Sequence, residues 1–186
     1  MEKLIKNSIA RLLVYLTAAV IVWCTLWTIS IIVDITTYNN VKEEFNWIDK
    51  ELYTYLVLKC DQKDLDPIFM LAVAQIEAGG DNIRSHNQNS NGTYDHGLWQ
   101  INEVHVDYDI DKVLLLYQMD YSTNMATDIM KVAIDESYRF KYIAAIKYNA
   151  GPNCDLKKYK NIYYPIKIMK KYNKAKRNLG LTYYSI

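Results

Sequence analysis

Proline, glycine and cysteine are all scarce in this chain of 186 residues, which has three prolines, six glycines and three cysteines. Breakers this few, and clustered as they are, are what a mostly helical domain carries. The low cysteine count excludes a disulfide scaffold. Cys24 falls inside an apolar run, so Cys60 and Cys154 are the only pair that could bridge outside a cell, and the sequence leaves their meeting open. His86, His96 and His105 stand alone, without a second ligand at helical spacing, so no metal is expected. No glycine-rich phosphate loop is present, and no motif sets a base beside a Ser or Cys nucleophile. Repeats and low-complexity stretches are absent. Neither a cofactor nor a nucleic-acid partner is expected.

Charge is the next thing missing, and over a long stretch. Leu12 to Val33 is an uncharged run of 22 residues between Arg11 and Asp34, long enough to cross a bilayer as a helix. A cleaved signal peptide would have a shorter apolar region ending in small residues, whereas Thr28-Ile-Ser-Ile-Ile-Val33 offers no good cleavage site. Lys3, Lys6 and Arg11 precede the run, which places the N-terminus in the cytoplasm and the remaining chain outside. The expected localisation is the inner (cytoplasmic) membrane, single-pass, with the folded domain periplasmic or otherwise extracytoplasmic.

The formal net charge of +1 hides an asymmetry. From Asp34 to Leu156 there are 10 Lys and Arg against 20 Asp and Glu; from Lys157 onward there are nine basic residues and no acidic one. Such a basic tail can meet anionic wall polymer, lipid headgroups or an acidic partner, or be a solvated helix face.

Periodicity gives the helices. Val41–Lys59 reads as one amphipathic helix, with Phe45, Ile48, Leu52 and Leu56 or Tyr55 on its stripe. Asp111–Gln118, Asn124–Ser137, Arg139–Ala150 and Tyr163–Lys176 follow, the third ending at Gly151-Pro152. Between them Asp81–His96 is polar, with Asn91-Gly92 as a hairpin signal. The expected fold class is therefore α+β, predominantly α, with a small β-hairpin.

Glu77 carries the most information. It ends the apolar run Pro67-Ile-Phe-Met-Leu-Ala-Val-Ala-Gln-Ile-Glu77, for which Asp66 reads as N-cap, Pro67 as first helical residue and Gly79-Gly80 as stop. Met70, Val73 and Ala74 share its face. Apolar surroundings and the negative end of the helix dipole both disfavour the carboxylate, raising its pKa towards that of a general acid working near neutrality. The alternative is a structural glutamate paired to a Lys or Arg.

Three segments then stand in order: Gln75-Ile-Glu77, Asn91-Gly-Thr-Tyr-Asp-His-Gly-Leu-Trp-Gln-Ile-Asn102, and Ala144-Ala-Ile-Lys-Tyr-Asn-Ala-Gly-Pro152. Together they resemble the lytic transglycosylase (SLT) domain related to goose-type lysozyme, over about Leu65 to Tyr172. The middle segment is most similar to that of the small specialised members that accompany secretion systems, conjugation machinery and pili. The resemblance implies a lysozyme-like domain at residues 65–176, after a cytoplasmic segment (1–11), an anchor (12–33) and a linker with a leading helix (34–64), and before a tail (177–186). It implies peptidoglycan glycan strands as substrate and cleavage between N-acetylmuramic acid and N-acetylglucosamine. Glu77 is then the catalytic group, with Gln100, Asn102, Tyr148 and Asn149 as substrate-binding residues. Tyr148 is expected to donate to the N-acetyl carbonyl or orient Glu77, and Asp95 to hold the hairpin. Two residues depart from the family pattern: Ala78 stands where Ser is usual, and Trp99 where Met is usual. A hydrolytic lysozyme and a non-catalytic wall-binding scaffold are the competing readings.

Overall fold

The computed structural model describes residues 2–79 and 85–181, without the side chains of residues 2–14, 27 and 29–34. The chain divides into two units, Met1–Asn40 and Val41–Ile186. The first is helical and belongs to α1 (Glu2–Glu44). Among the described residues no helix is long and apolar enough to cross a membrane. The expected span, Leu12–Val33, falls partly on side chains outside the described ones.

The second unit follows α1 with α2 (Lys50–Lys63) and α3 (Pro67–Glu77), then a small sheet of β1 (His86–Gln88), β2 (Tyr94–His96) and β3 (Ile101–Asn102). A short 3-10 turn, Glu103–His105, leads to α4 (Asp109–Tyr117), α5 (Met119–Glu136), α6 (Lys141–Ala150) and α7 (Tyr163–Asn178). The sheet is antiparallel in the order β1-β2-β3, with Asn87 opposite Asp95 and Asp95 opposite Asn102. The core is one cluster running from Val41 to Ala175, so the Val41–Ile186 unit holds all of it.

At its centre lies α3. Asp66 caps it, its Oδ1 accepting from the amides of Ile68 and Phe69 at 2.9 and 3.3 Å, and seven consecutive residues from Ile68 to Ala74 are buried. A helix apolar all round needs neighbours on every side. Helix α7 runs antiparallel to it: the Tyr172 hydroxyl donates to Asp66 at 2.6 Å near one end, and that of Tyr164 to Glu77 at the other.

Four expectations need correction. The helix expected over Val41–Lys59 is two helices: α1 stops at Glu44, and α2 starts afresh at Asp49, whose carboxylate accepts from the Leu52 amide at 2.7 Å. Phe45, Ile48, Leu52 and Leu56 are buried nonetheless, because the apolar side chains face the core across the break. The expected hairpin gains a third strand, β3. Helix α5 begins at Met119 instead of Asn124, and α6 at Lys141 instead of Arg139, since Tyr138 and Arg139 turn the chain at positive φ of 51° and 66°. Cys60 and Cys154, whose meeting the sequence left open, are both free thiols, Cys60 buried in the core.

Trp99 is fully buried, and its indole N–H donates to the Thr123 hydroxyl at 3.0 Å. Trp99→Ala leaves an aromatic-sized void and an orphaned hydroxyl, so the domain should lose about 3–5 kcal/mol of stability. Chemical denaturation reads the loss, and a change below about 1 kcal/mol would mean that the segment does not depend on the indole.

Candidate active site

Glu77, in the last turn of α3, opens into a cavity of about 580 Å3. The hairpin tip supplies one wall with Asn89 and Asn91, the segment Gln100–Asn102 the floor, and the end of α6 with Tyr148, Asn149 and Gly151 the opposite wall. All five expected site residues, and Asp95, therefore line one cleft. The local chemistry of each element explains this. Asn91 closes the hairpin turn with its side chain, which accepts from the Thr93 amide at 3.1 Å and hydroxyl at 2.8 Å, and Gly92 takes φ 87°. Gly151, at φ 87° and ψ 156°, takes the chain out of α6 in a conformation costly to a side chain.

Burial pushes the Glu77 carboxyl up to about 7. The negative field of Asp95 adds to the rise, and the Tyr164 hydroxyl, which donates to Oε1, opposes it. No Lys or Arg pairs with Glu77 among the described residues. The group is poised between acid and base near neutral pH.

Tyr164 went unnoticed in the sequence. It sits in the first turn of α7, buried, and the work expected of Tyr148, orienting Glu77, falls to it. The Tyr148 hydroxyl instead donates to the Trp99 carbonyl at 2.9 Å, fastening the cleft floor to α6. Burial first, and the charge of Glu77 second, hold both phenols well above their usual pKa, so each remains a donor. Asn149 accepts from the Tyr159 hydroxyl at 3.0 Å, which leaves its amide nitrogen as its donor to the cleft.

Gln100 and Asn102 line the cleft but spend much of their hydrogen-bonding capacity on the protein. Gln100, at φ 48°, donates from Nε2 to the Gly97 carbonyl and the Ser85 hydroxyl, both at 2.7 Å, and accepts from Asn87 at 2.5 Å. Asn102 donates to Thr93 at 2.9 Å and Asp95 at 2.7 Å, while its oxygen caps the 3-10 turn through the Val104 amide at 3.1 Å. They brace the hairpin against the floor. His86 stacks on Tyr94 at 5.3 Å and on His96 at 6.2 Å, and no group of three or more His, Cys, Asp or Glu among the described residues is arranged to hold a metal ion.

On a mostly helical frame, the cleft thus holds one carboxyl raised towards neutrality, which suits acid–base chemistry. A model of the transglycosylase SLT domain matches residues 58–176, and the chain belongs to that family. The family comprises the lytic transglycosylases, lyases that cleave the glycan of peptidoglycan, and the small-sheet, helix-rich architecture fits its lysozyme-like fold. No curated protein and no solved structure matches the chain.

Proposed function

We propose that this chain is a membrane-anchored lytic transglycosylase that cuts the β-1,4 bond between N-acetylmuramic acid and N-acetylglucosamine and leaves 1,6-anhydro ends. One observation carries the reading: the carboxyl of Glu77, raised to about 7 by burial, lies in the cleft with a phenol as its hydrogen-bond partner. Protonated, Glu77 gives its proton to the glycosidic oxygen as that bond breaks. The acetamido group of the muramic residue shares the positive charge at the anomeric carbon, a substrate-assisted route that dispenses with a second carboxylate. Glu77, now ionised, takes the proton of the C6 hydroxyl, whose oxygen closes onto the anomeric carbon. Atoms balance without water, and Glu77 ends protonated. Asn149 and the backbone of the hairpin are suited to sugar hydroxyl and acetamido groups, with Gln100 and Asn102 fixing their frame.

Asp95 lies in the same cleft and favours a second reading, hydrolysis by a water activated there. Digestion of purified peptidoglycan with mass analysis of the products separates the two. Anhydro-muropeptides support transfer to the C6 hydroxyl, and reducing muramic ends would replace it with hydrolysis. Tyr148→Phe should slow release about tenfold through a loosened floor, since small misplacements at a reacting centre are costly. Its stability should fall by only about 1 kcal/mol. An unchanged rate would remove Tyr148 from the site.

The anchor reading draws on the apolar side chains that α1 exposes, among them Leu16, Val20, Ile21, Val22 and Leu26. The Thr25 and Thr28 hydroxyls turn back onto helix carbonyls at 2.8 Å, as hydroxyls in an apolar medium do. With the N-terminal cations inside, the catalytic unit faces the wall, where it would open local gaps for a secretion, conjugation or pilus assembly. Alkaline extraction of membranes tests this: the full chain should stay with the bilayer, and its release would sink the anchor.

A further inference from the structure

The outward face of α7 is unusual for a solvated helix. At 100° per residue, Tyr163, Ile166, Lys167, Lys170, Lys174 and Arg177 fall on one stripe, and all six are exposed. Solvated helix faces elsewhere in the domain mix signs, as Lys131 with Asp135 on α5 and Lys112 with Asp109 on α4. On α7 no acidic residue is available, and among the described residues Lys167, Lys170 and Arg177 form no ion pair. The cations are joined at the N-terminal end by Tyr163, 70 % exposed, and Ile166. The loop before them continues the pattern with exposed Lys157, Lys160 and Ile162.

We propose that this face docks on the anionic surface of a lipid bilayer. Positive charge alone would suit any polyanion. Lys167, Lys170 and Arg177, without an ion pair among the described residues, together with exposed tyrosine and isoleucine fit a surface that has both phosphate headgroups and an apolar layer beneath them. The face also connects to the cleft: the loop's Tyr159 bonds Asn149, and α7 itself carries Tyr164 to Glu77. Docking there holds the glycan-cutting cleft at a fixed attitude to the membrane. The proposal does not rest on the catalytic reading or on the anchor.

The test uses the Val41–Ile186 unit, which holds the whole buried core and excludes the exposed apolar part of α1. It is sedimented with vesicles of phosphatidylcholine alone or mixed with phosphatidylglycerol. Binding to the anionic vesicles should exceed that to the neutral ones at least tenfold and weaken as salt is raised. Each cation is worth about fivefold, so Lys167→Glu combined with Lys170→Glu should cut it by more than about a hundredfold. Circular dichroism and the rate on soluble glycan should stay at wild-type values. Ile166→Asn should weaken binding to anionic vesicles while leaving binding to soluble polyphosphate largely intact. Equal binding to both vesicle types, full binding by the charge-reversed variant, or binding to polyphosphate but not to vesicles would each overturn the proposal, the last in favour of an anionic wall polymer.

Discussion

Glu77→Gln should lower the release of muropeptides by at least about a thousandfold, because in the proposed mechanism one side chain serves as both acid and base and each proton transfer contributes about 10²–10⁴-fold. The same change should make the protein more stable at alkaline pH. Glu77 holds its proton up to about 7, against an ordinary 4.5. Between those values the folded chain keeps a proton that the unfolded chain has released, so stability falls as pH rises through this window. Below it both states are protonated and the difference vanishes. A shift of this size amounts to about 3 kcal/mol, felt in full above pH 7. The glutamine variant should therefore unfold like the parent at pH 4 and up to about 3 kcal/mol later at pH 8. Thermal unfolding at the two pH values reads the difference, and equal curves at pH 8 would mean that Glu77 ionises freely. Activity and stability should thus move in opposite directions at this one position, the expected mark of a group buried for chemistry.

Tyr164→Phe is expected to have the second largest effect on turnover. Its hydroxyl lowers the Glu77 pKa, so without it the carboxyl should titrate still higher. The acid step needs the protonated form, so kcat/KM falls as pH rises through the Glu77 pKa. In the variant this falling limb should move to higher pH. The rate at its optimum should drop about 5- to 100-fold, the cost of leaving a buried carboxyl without its partner. A lower rate with an unmoved limb would reduce Tyr164 to a packing residue.

Glu77 was legible because its signals are local: an N-cap, a proline, an apolar run and a glycine lie within 14 residues, from Asp66 to Gly79. Tyr164 had no such frame. It is 87 positions from its partner and one of 17 tyrosines. The signal available was its place with Ile168 and Ala175 on the inward stripe of α7. The break at Asp49 was hidden by its own success, since the apolar period survives across it and looks unbroken. Strand β3 is two residues long, too short to show alternation. For Gln100 and Asn102, residue type does not separate two roles, because an amide that braces a turn reads the same as one that holds a sugar.

Helices α3 and α7 are joined by phenol–carboxylate bonds at both ends, Asp66 to Tyr172 and Glu77 to Tyr164. Eleven residues of helix separate the two, about 16 Å. Sliding one rod past the other would break both latches together, so Glu77 is kept in register by a lock on the far side of the core.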